Sequence, residues 1–486
     1  MNAPRLVLAA LRGGAGKTVL SMGLLAAWKA RGLRVVPFKK GPDYIDAGWL
    51  ARSAGHPCFN LDPFLMGKRS LVASFKRRSR EGELSVIEGN RGVFDGIDAR
   101  GTYSTAQLAK WLEAPVILIV DCTKTTRTVA AMIMGCLAFD PELPLRGIIL
   151  NHIVRSRHEN VIRRTIEQIS DLPILGVIPR MAASQLPERH LGLVPFQEHP
   201  GVEQAIRLTR RMAEDHLDLE RLSAVARSAP PLGTGAWRSV EFRKRPVGVR
   251  PRIGIIQDTA FQFYYPENLE SLENAGADLV FLNALSGRFP GDLDALYIGG
   301  GFPETQAPAL SQNESFRSAL AAAAEAGLPV YAECGGLMFL GRSLVYRGDS
   351  YPMTGVLPFT FGLERKPQGH GYTMIRVVCE NPYFPVGAIL KGHEFHYSRV
   401  IAGDPEPFSL AFEMKKGDGL MDRRDGVLYK NILATYTHLH ALGCPDWARA
   451  LVAKAREYRR EREQESTEWL TGISRKTERE TGTWPA

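Results

Sequence analysis

The chain of 486 residues contains no run close to the roughly 20 consecutive apolar residues that a membrane helix requires. It opens directly into the apolar run Leu6-Val7-Leu8-Ala9-Ala10, with neither a basic n-region nor a signal-type apolar segment ahead of it. Its six cysteines (Cys58, Cys122, Cys136, Cys334, Cys379 and Cys444) include no C-x-x-C pair, which argues against a zinc site or a disulfide framework. Together these absences predict a cytoplasmic protein with no membrane association. No internal repeat is present, so solenoid architectures are excluded. The net charge of +9 falls in local runs such as Arg243-Lys244-Arg245 and the C-terminal stretch, without interleaved aromatics. That pattern disfavours nucleic acid as a partner and suits an acidic small substrate.

The length corresponds to two or three domains. Short apolar runs at Leu6–Ala10, Val35–Phe38, Ser85–Glu88, Val116–Asp121, Gly147–Asn151 and Ile174–Ile178 alternate with helical patterns such as Val19–Ala30 and Val161–Ser170. This alternation predicts βαβ units and a doubly wound, mostly parallel sheet over residues 1–223. Proline, glycine and basic residues over 224–251 read as a linker. A second α/β unit is expected over 252–447, from Arg252-Ile253-Gly254-Ile255-Ile256 through Asp278–Leu282, Ala295–Ile298 and Val330–Ala332, with a β-rich part from Gly355 to Val400. Residues 448–486 read as a charged tail, helical at first and disordered from about Thr477.

Directly after the first run comes Arg12-Gly13-Gly14-Ala15-Gly16-Lys17-Thr18. A strand that ends in such a turn and feeds a helix can wrap backbone N–H groups around a phosphate. Lys17 would then reach the β/γ oxygens, and the Thr18 hydroxyl would bind Mg²⁺. Leu11 stands where the strict G-x-x-x-x-G-K-T pattern needs glycine, and Arg12 where MinD-type loops carry lysine. What remains resembles the deviant Walker A loop of MinD/ParA-like and dethiobiotin-synthetase-like NTPases.

A second chemistry lies further on. Glu333-Cys334-Gly335-Gly336 follows the run Val330-Tyr331-Ala332, and Gly299-Gly300-Gly301-Phe302-Pro303-Glu304 follows Ala295–Ile298. A cysteine at a sharp strand-to-helix turn is exposed as a nucleophile, and the helix N-terminus is expected to lower its thiol pKa. The N–H groups of Gly300, Gly301 and Gly335 would serve the developing oxyanion. Thr435-Tyr436-Thr437-His438-Leu439-His440 offers a base. His393 and His396 are three apart, not the four of H-E-x-x-H, so they read as structural or as lining the interdomain cleft, and not as zinc ligands.

At these residues the chain resembles class I glutamine amidotransferase domains of the cobyric and cobyrinic acid synthase type. Pro37-Phe38-Lys39-Lys40-Gly41-Pro42-Asp43-Tyr44-Ile45-Asp46, Asn60-Leu61-Asp62 and Glu88-Gly89-Asn90-Arg91-Gly92-Val93-Phe94-Asp95-Gly96 extend the resemblance to the cobyrinic acid a,c-diamide synthase family, over about residues 4–446. The family's loop usually reads S-S-G-x-G-K-T, and a small apolar pair usually stands where Asn90-Arg91 is; both departures bear on the acceptor. The resemblance implies a P-loop synthetase domain followed by a class I glutaminase-like domain. It implies Cys334 attack on L-glutamine, with His438 as base and ammonia leaving. Because His440 stands where other glutaminases carry glutamate, it implies a Cys–His dyad. Acidic residues at the carboxyl ends of parallel strands facing a P-loop complete a Mg²⁺–nucleotide site, which makes Asp43 and Glu88 the metal-side carboxylates and Lys39 a second phosphate-facing cation.

The implied reaction activates an acceptor carboxylate with ATP as an acyl phosphate, which ammonia then displaces. The acceptor is an anionic tetrapyrrole, cobyrinic or hydrogenobyrinic acid, with sirohaem and nickel-sirohydrochlorin as alternatives of the same chemistry. More distant readings are a MinD/ParA-like switch ATPase, which leaves the Cys334 region unexplained, and a dethiobiotin-like fusion with a degenerate glutaminase. The sequence leaves open the acceptor's metal, the order of amidations, a share of the base role for His440, and assembly as a homodimer.

Overall fold

The computed structural model describes residues 2–180, 188, 189, 192–233, 249–403 and 408–480, and the expectations for Arg243-Lys244-Arg245 and for 481–486 lie outside them. The chain divides into two compact units, Met1–Glu241 and Phe242–Ala486.

The first unit is a parallel sheet with helices on both faces. Its elements are β1 (Arg5–Ala10), α1 (Lys17–Ala30), β2 (Val35–Lys40), α2 (Tyr44–Ala54), β3 (Phe59–Leu61), α3 (Pro63–Arg78), β4 (Leu84–Glu88), α4 (Thr105–Trp111), β5 (Val116–Asp121), α5 (Thr128–Phe139), β6 (Leu145–Ile153), α6 (Ser156–Glu167), β7 (Ile174–Pro179), α7 (Val202–His216) and α8 (Leu219–Arg227). The strand order is β3-β2-β4-β1-β5-β6-β7. Every residue of β1, β2 and β4 is buried, which is why Leu6–Ala10 and Val35–Phe38 read as continuous apolar runs with no alternation. Leu6, Leu8, Leu24, Leu25 and Trp28 share one core cluster with Ile117 and Ile149. Burying each such side chain contributes about 1.5–3 kcal/mol. The chain leaves β1 toward β2 and β3 and returns through β4 to β5. The carboxyl ends of β1, β2 and β4 therefore flank the point where the winding reverses, the usual ligand crevice of such sheets.

The linker expected from Ala224 begins later. α8 runs to Arg227, Ala229 and Leu232 are buried, and the Pro230 carbonyl accepts from Arg5 Nη2 at 2.8 Å. Helix α6 starts ahead of the expected Val161 because the apolar stripe that defines it is short, only Ile162 and Ile166 being buried.

The second unit holds a ten-stranded sheet. Asp278–Leu282, Arg252–Ile256, Ala295–Ile298, Val330–Glu333 and Ile432–Thr435 run parallel. Arg424–Tyr429, Ser409–Lys416, Gly369–Val377, Ile389–His396 and His438–Leu439 continue it in antiparallel fashion. Two residues separate Ile432–Thr435 from His438–Leu439, yet these strands lie far apart in the sheet order. So short a link spans at most about 10 Å, so the antiparallel half must curl back over the parallel half. The tail helix spans Pro445–Glu480, and its first turns are core: Trp447, Ala448, Leu451, Val452 and Ala455 pack into the second unit. Residues 448–455 are thus structural, and helix continues past Thr477 to Glu480, where disorder was expected.

Candidate active sites

In the first unit the turn between β1 and α1 is built by glycine. Gly14 and Gly16 sit at φ 70° and 89°, the left-handed region that a side chain adopts only with strain. A methyl group on Gly16 would lie 2.5 Å from Asn151 Nδ2, so that position also requires close approach. Over Gly13 and Gly14 nothing lies within 4 Å, leaving the outer face of the turn open. The Lys17 ammonium donates to the carbonyls of Arg12 at 3.0 Å and Arg91 at 2.8 Å, and burial holds its pKa below the ordinary value. Arg12 pairs with Asp121, which also takes His152 Nδ1 at 2.9 Å and the Thr123 hydroxyl at 2.6 Å. Burial pushes the Asp121 carboxyl up, but these hydrogen bonds outweigh it and hold it below the usual carboxylate range.

The acids beside the loop divide differently from expectation. Glu88, at the end of β4, accepts from the Thr18 hydroxyl at 2.9 Å and from Lys39 Nζ at 2.5 Å. Its Oε2 is buried with no hydrogen-bond partner among the described residues, and burial lifts its pKa despite Lys39. Asp43 is the N-cap of α2, accepting from the Asp46 N–H at 2.8 Å. The carboxylate that reaches Lys39 is Asp46, at 2.6 Å. Burial would lower the Lys39 pKa, but Asp46 and Glu88 together raise it. Lys39, 2% exposed, is therefore held between two carboxylates and presents no free cation to a phosphate. The Lys39–Asp46 pair was missed in the sequence because its spacing of seven fits no helical or strand repeat; it arises where β2 turns into α2.

In the second unit Val330–Glu333 leads straight into a helix at Gly335–Leu340, and Cys334 between them sits at φ 48°, ψ −100°. A non-glycine residue in this conformation stores strain, as nucleophile elbows do. The turn needs its glycines: a methyl on Gly335 would lie 3.1 Å from the Gly301 nitrogen, and one on Gly336 2.6 Å from the Ile298 carbonyl. The thiol is not lowered as the sequence suggested. Burial, then Glu304, push it well up, and the Gly335 N–H offsets only part. A helix of six residues cannot outweigh full desolvation.

His438 packs on the Gly299–Gly301 turn that follows Ala295–Ile298. A methyl on Gly300 would lie 2.5 Å from His438 Cε1. The His438 ring stacks on His393, with centroids 4.9 Å apart and planes 19° apart. Its Nδ1 faces Glu333 Oε2 at 3.4 Å. Glu333, fully buried, also accepts from the Tyr297 hydroxyl at 3.1 Å and the Leu439 N–H at 3.1 Å. The imidazole thus has a carboxylate behind it, that of Glu333, directly before the cysteine. His440 faces Glu267, 3.7 Å from its Oε2, and its ring centre lies 4.6 Å from that of Tyr265 with the planes tilted by 45°. Burial pushes its pKa down to about 3. Buried Asp425 fixes the approach to His438, accepting from the Thr435 hydroxyl at 2.6 Å and the Tyr436 and Thr437 N–H groups. His396 Nδ1 meets the Ser398 carbonyl at 2.8 Å, and its ring stacks on Tyr436.

Comparison with known proteins matches residues 6–194 to the CobQ/CobB/MinD/ParA nucleotide binding domain and residues 252–445 to the CobB/CobQ-like glutamine amidotransferase domain. The cobyrinate a,c-diamide synthase of Magnetococcus marinus is 44% identical over 456 residues, covering 93% of this chain and 97% of that protein. The synthase of the same name from Syntrophotalea carbinolica is 38% identical, over 93% and 98% of the two chains. That from Archaeoglobus fulgidus is also 38% identical, over 94% and 98%. No helix among the described residues is long and apolar enough to cross a membrane. A nucleotide-binding unit and a glutaminase unit, each with its own turn-borne reactive residues and matched nearly end to end by these relatives, make the chain a member of the cobyrinate a,c-diamide synthase family.

Proposed function

We propose that the chain uses ATP and glutamine to convert the a and c acetate carboxylates of cobyrinate into amides. The observation that carries this reading is the presence of an open glycine turn with Lys17 on one unit and a strained Cys334 backed by His438 and Glu333 on the other. Each chemistry alone has other uses, and their union in one chain is what glutamine-dependent amidation requires.

In the glutaminase unit the thiol is protonated at rest, because burial disfavours thiolate. His438 takes the proton as sulfur attacks the glutamine amide carbon. The imidazolium is met by Glu333 at Nδ1, and the developing oxyanion by N–H groups of the Gly300–Gly301 and Gly335 turns. The proton then passes to the leaving ammonia, and water releases glutamate from the thioester. His438 supports the base role better than His440, whose neighbours are Glu267 and Tyr265.

In the synthetase unit the turn at 13–16 and Lys17 would hold the phosphates of ATP. The residues fit a divalent cation as well: the Thr18 hydroxyl lies on Glu88, and Glu88 Oε2 is an orphaned buried oxygen. Thr18 and Glu88 would hold Mg²⁺, which supplies charge neutralisation for phosphoryl transfer. Lys39 and Asp46 fix the Glu88 carboxylate, and Asp43 acts through the α2 cap. The activated acceptor is an acyl phosphate, and ammonia displaces phosphate from it.

The test is Cys334→Ser, assayed with glutamine and with high ammonium salt side by side. Glutamine-dependent amidation should vanish and ammonium-dependent amidation persist. Normal amidation from glutamine would refute the nucleophile assignment.

A further inference from the structure

β2 ends in two lysines, which the alternation of a strand sends to opposite faces. Lys39 is held by Asp46 and Glu88. Lys40 is 5% exposed, and its ammonium makes no hydrogen bond or ion pair among the described residues. Lysine is almost never buried without a partner, because an uncompensated charge away from water is costly.

The groups around Lys40 do not supply that partner. Burial lowers its pKa, and the nearby charges are Asp62, Arg91, Lys39 and Asp95. Asp62 Oδ1 caps α3 through the Phe64 and Leu65 N–H groups, at 2.8 and 3.0 Å. Asp95 Oδ2 accepts from the Gly92 N–H at 2.8 Å. The segment after β4 closes over this edge: a methyl on Gly41 would lie 2.8 Å from Asn90 Nδ2, and the Arg91 carbonyl holds Lys17. Arg91 is exposed and sits at φ 51°, a strained conformation of the kind found at binding sites. Lys40 and Arg91 thus border the P-loop on its β2 side.

We propose that Lys40, with Arg91, forms an anion subsite that takes a carboxylate of the acceptor. The inference rests on the amidation reading above. A nucleotide phosphate is the other source of such an anion, and the sheet order disfavours it. β4 lies between β2 and β1, so Lys40 is two strands, about 10 Å, from the strand that carries the P-loop. The phosphates are met there by Lys17, whereas a polycarboxylate acceptor reaches outward from the γ-phosphate and needs further cations.

Lys40→Met keeps the length of the side chain and removes its charge. Cobyrinic acid binding, followed by its own visible absorbance, should weaken about 10- to 100-fold, as expected for losing a charged hydrogen bond. The KM for ATP in the ammonium-driven reaction and the glutaminase rate should not change, and Lys40→Arg should recover most of the binding. The melting temperature of ligand-free Lys40→Met should not fall below that of wild type, since no hydrogen bond or ion pair of the ammonium is removed; a purely structural lysine would lower it. Unchanged cobyrinic acid binding, or a rise confined to the KM for ATP, overturns the subsite. Should Lys40→Met fail to fold, the charge has a structural partner and the subsite is likewise refuted. Wild-type protein that binds no cobyrinic acid refutes the acceptor reading and the subsite with it.

Discussion

Glu333→Gln is the sharpest perturbation of the glutaminase unit. Glutamine keeps one carbonyl oxygen, which can go on accepting from the Leu439 N–H at 3.1 Å, while its amide NH2 takes the place of Oε2 and can donate to the Tyr297 hydroxyl oxygen. The charge facing His438 Nδ1 is lost, and with it the acceptor oxygen at that position. A hydrogen bond between charged groups contributes about 1.5–3 kcal/mol, and the 3.4 Å separation in the resting enzyme puts this one at the weak end. The loss is felt when His438 carries the thiol proton, so it falls on the transition state. About 1.5–2 kcal/mol corresponds to roughly a 10- to 30-fold drop in glutaminase kcat/KM. The assay is glutamate release, with ammonium-driven amidation as the control, and the latter should be unaffected. Glu333→Ala, by contrast, strands two buried donors and should also destabilise the fold by about 1–3 kcal/mol per group. Wild-type glutaminase activity in Glu333→Gln would refute the role of this carboxylate.

Lys17→Ala should abolish amidation from either nitrogen donor while basal glutamate release continues, and unchanged amidation would sink the P-loop assignment. His438→Ala should cost the glutamine-driven reaction on the order of 10²–10⁴-fold. His440→Ala should be milder in kcat because its ring faces Glu267, and equal losses would assign the two histidines a shared role. Asp43 provides a pH test: burial, then Asp46, push its carboxyl from 3.8 up to about 7. The folded protein therefore holds a proton that the unfolded chain releases. This stabilisation is full below about pH 4 and lost as pH rises through about 7. Chemical denaturation should show that decline in wild type and a flatter profile in Asp43→Asn, which still caps α2; identical profiles would show that the carboxyl is not raised.

The reach of the sequence differed between parts of the molecule for physical reasons. Strands buried on both faces, such as Leu6–Ala10 and Val116–Asp121, announce themselves as apolar runs, and glycine turns leave few alternatives to Gly14, Gly16 and Cys334. Side-chain partnerships formed by topology were not visible. Glu333 meets His438 because Val330–Glu333 pairs with Ile432–Thr435, which brings residues more than a hundred positions apart together. Asp46 meets Lys39 while Asp43 caps α2, because one turn of helix decides which acid caps and which reaches inward. The lowered thiol anticipated at Cys334 failed for another reason. A sequence displays the adjacent helix but not the depth of burial, and burial dominates there.

The central claim is that both chemistries in this chain converge on cobyrinate. Its most direct test is mass spectrometry of cobyrinic acid incubated with the full-length protein, ATP, Mg²⁺ and glutamine carrying an isotope label on its amide nitrogen. The account predicts a product with two new amides, both labelled, and none when ATP is left out. Glutamine hydrolysis with cobyrinic acid recovered unchanged, while sirohaem or nickel-sirohydrochlorin is amidated in its place, would contradict it.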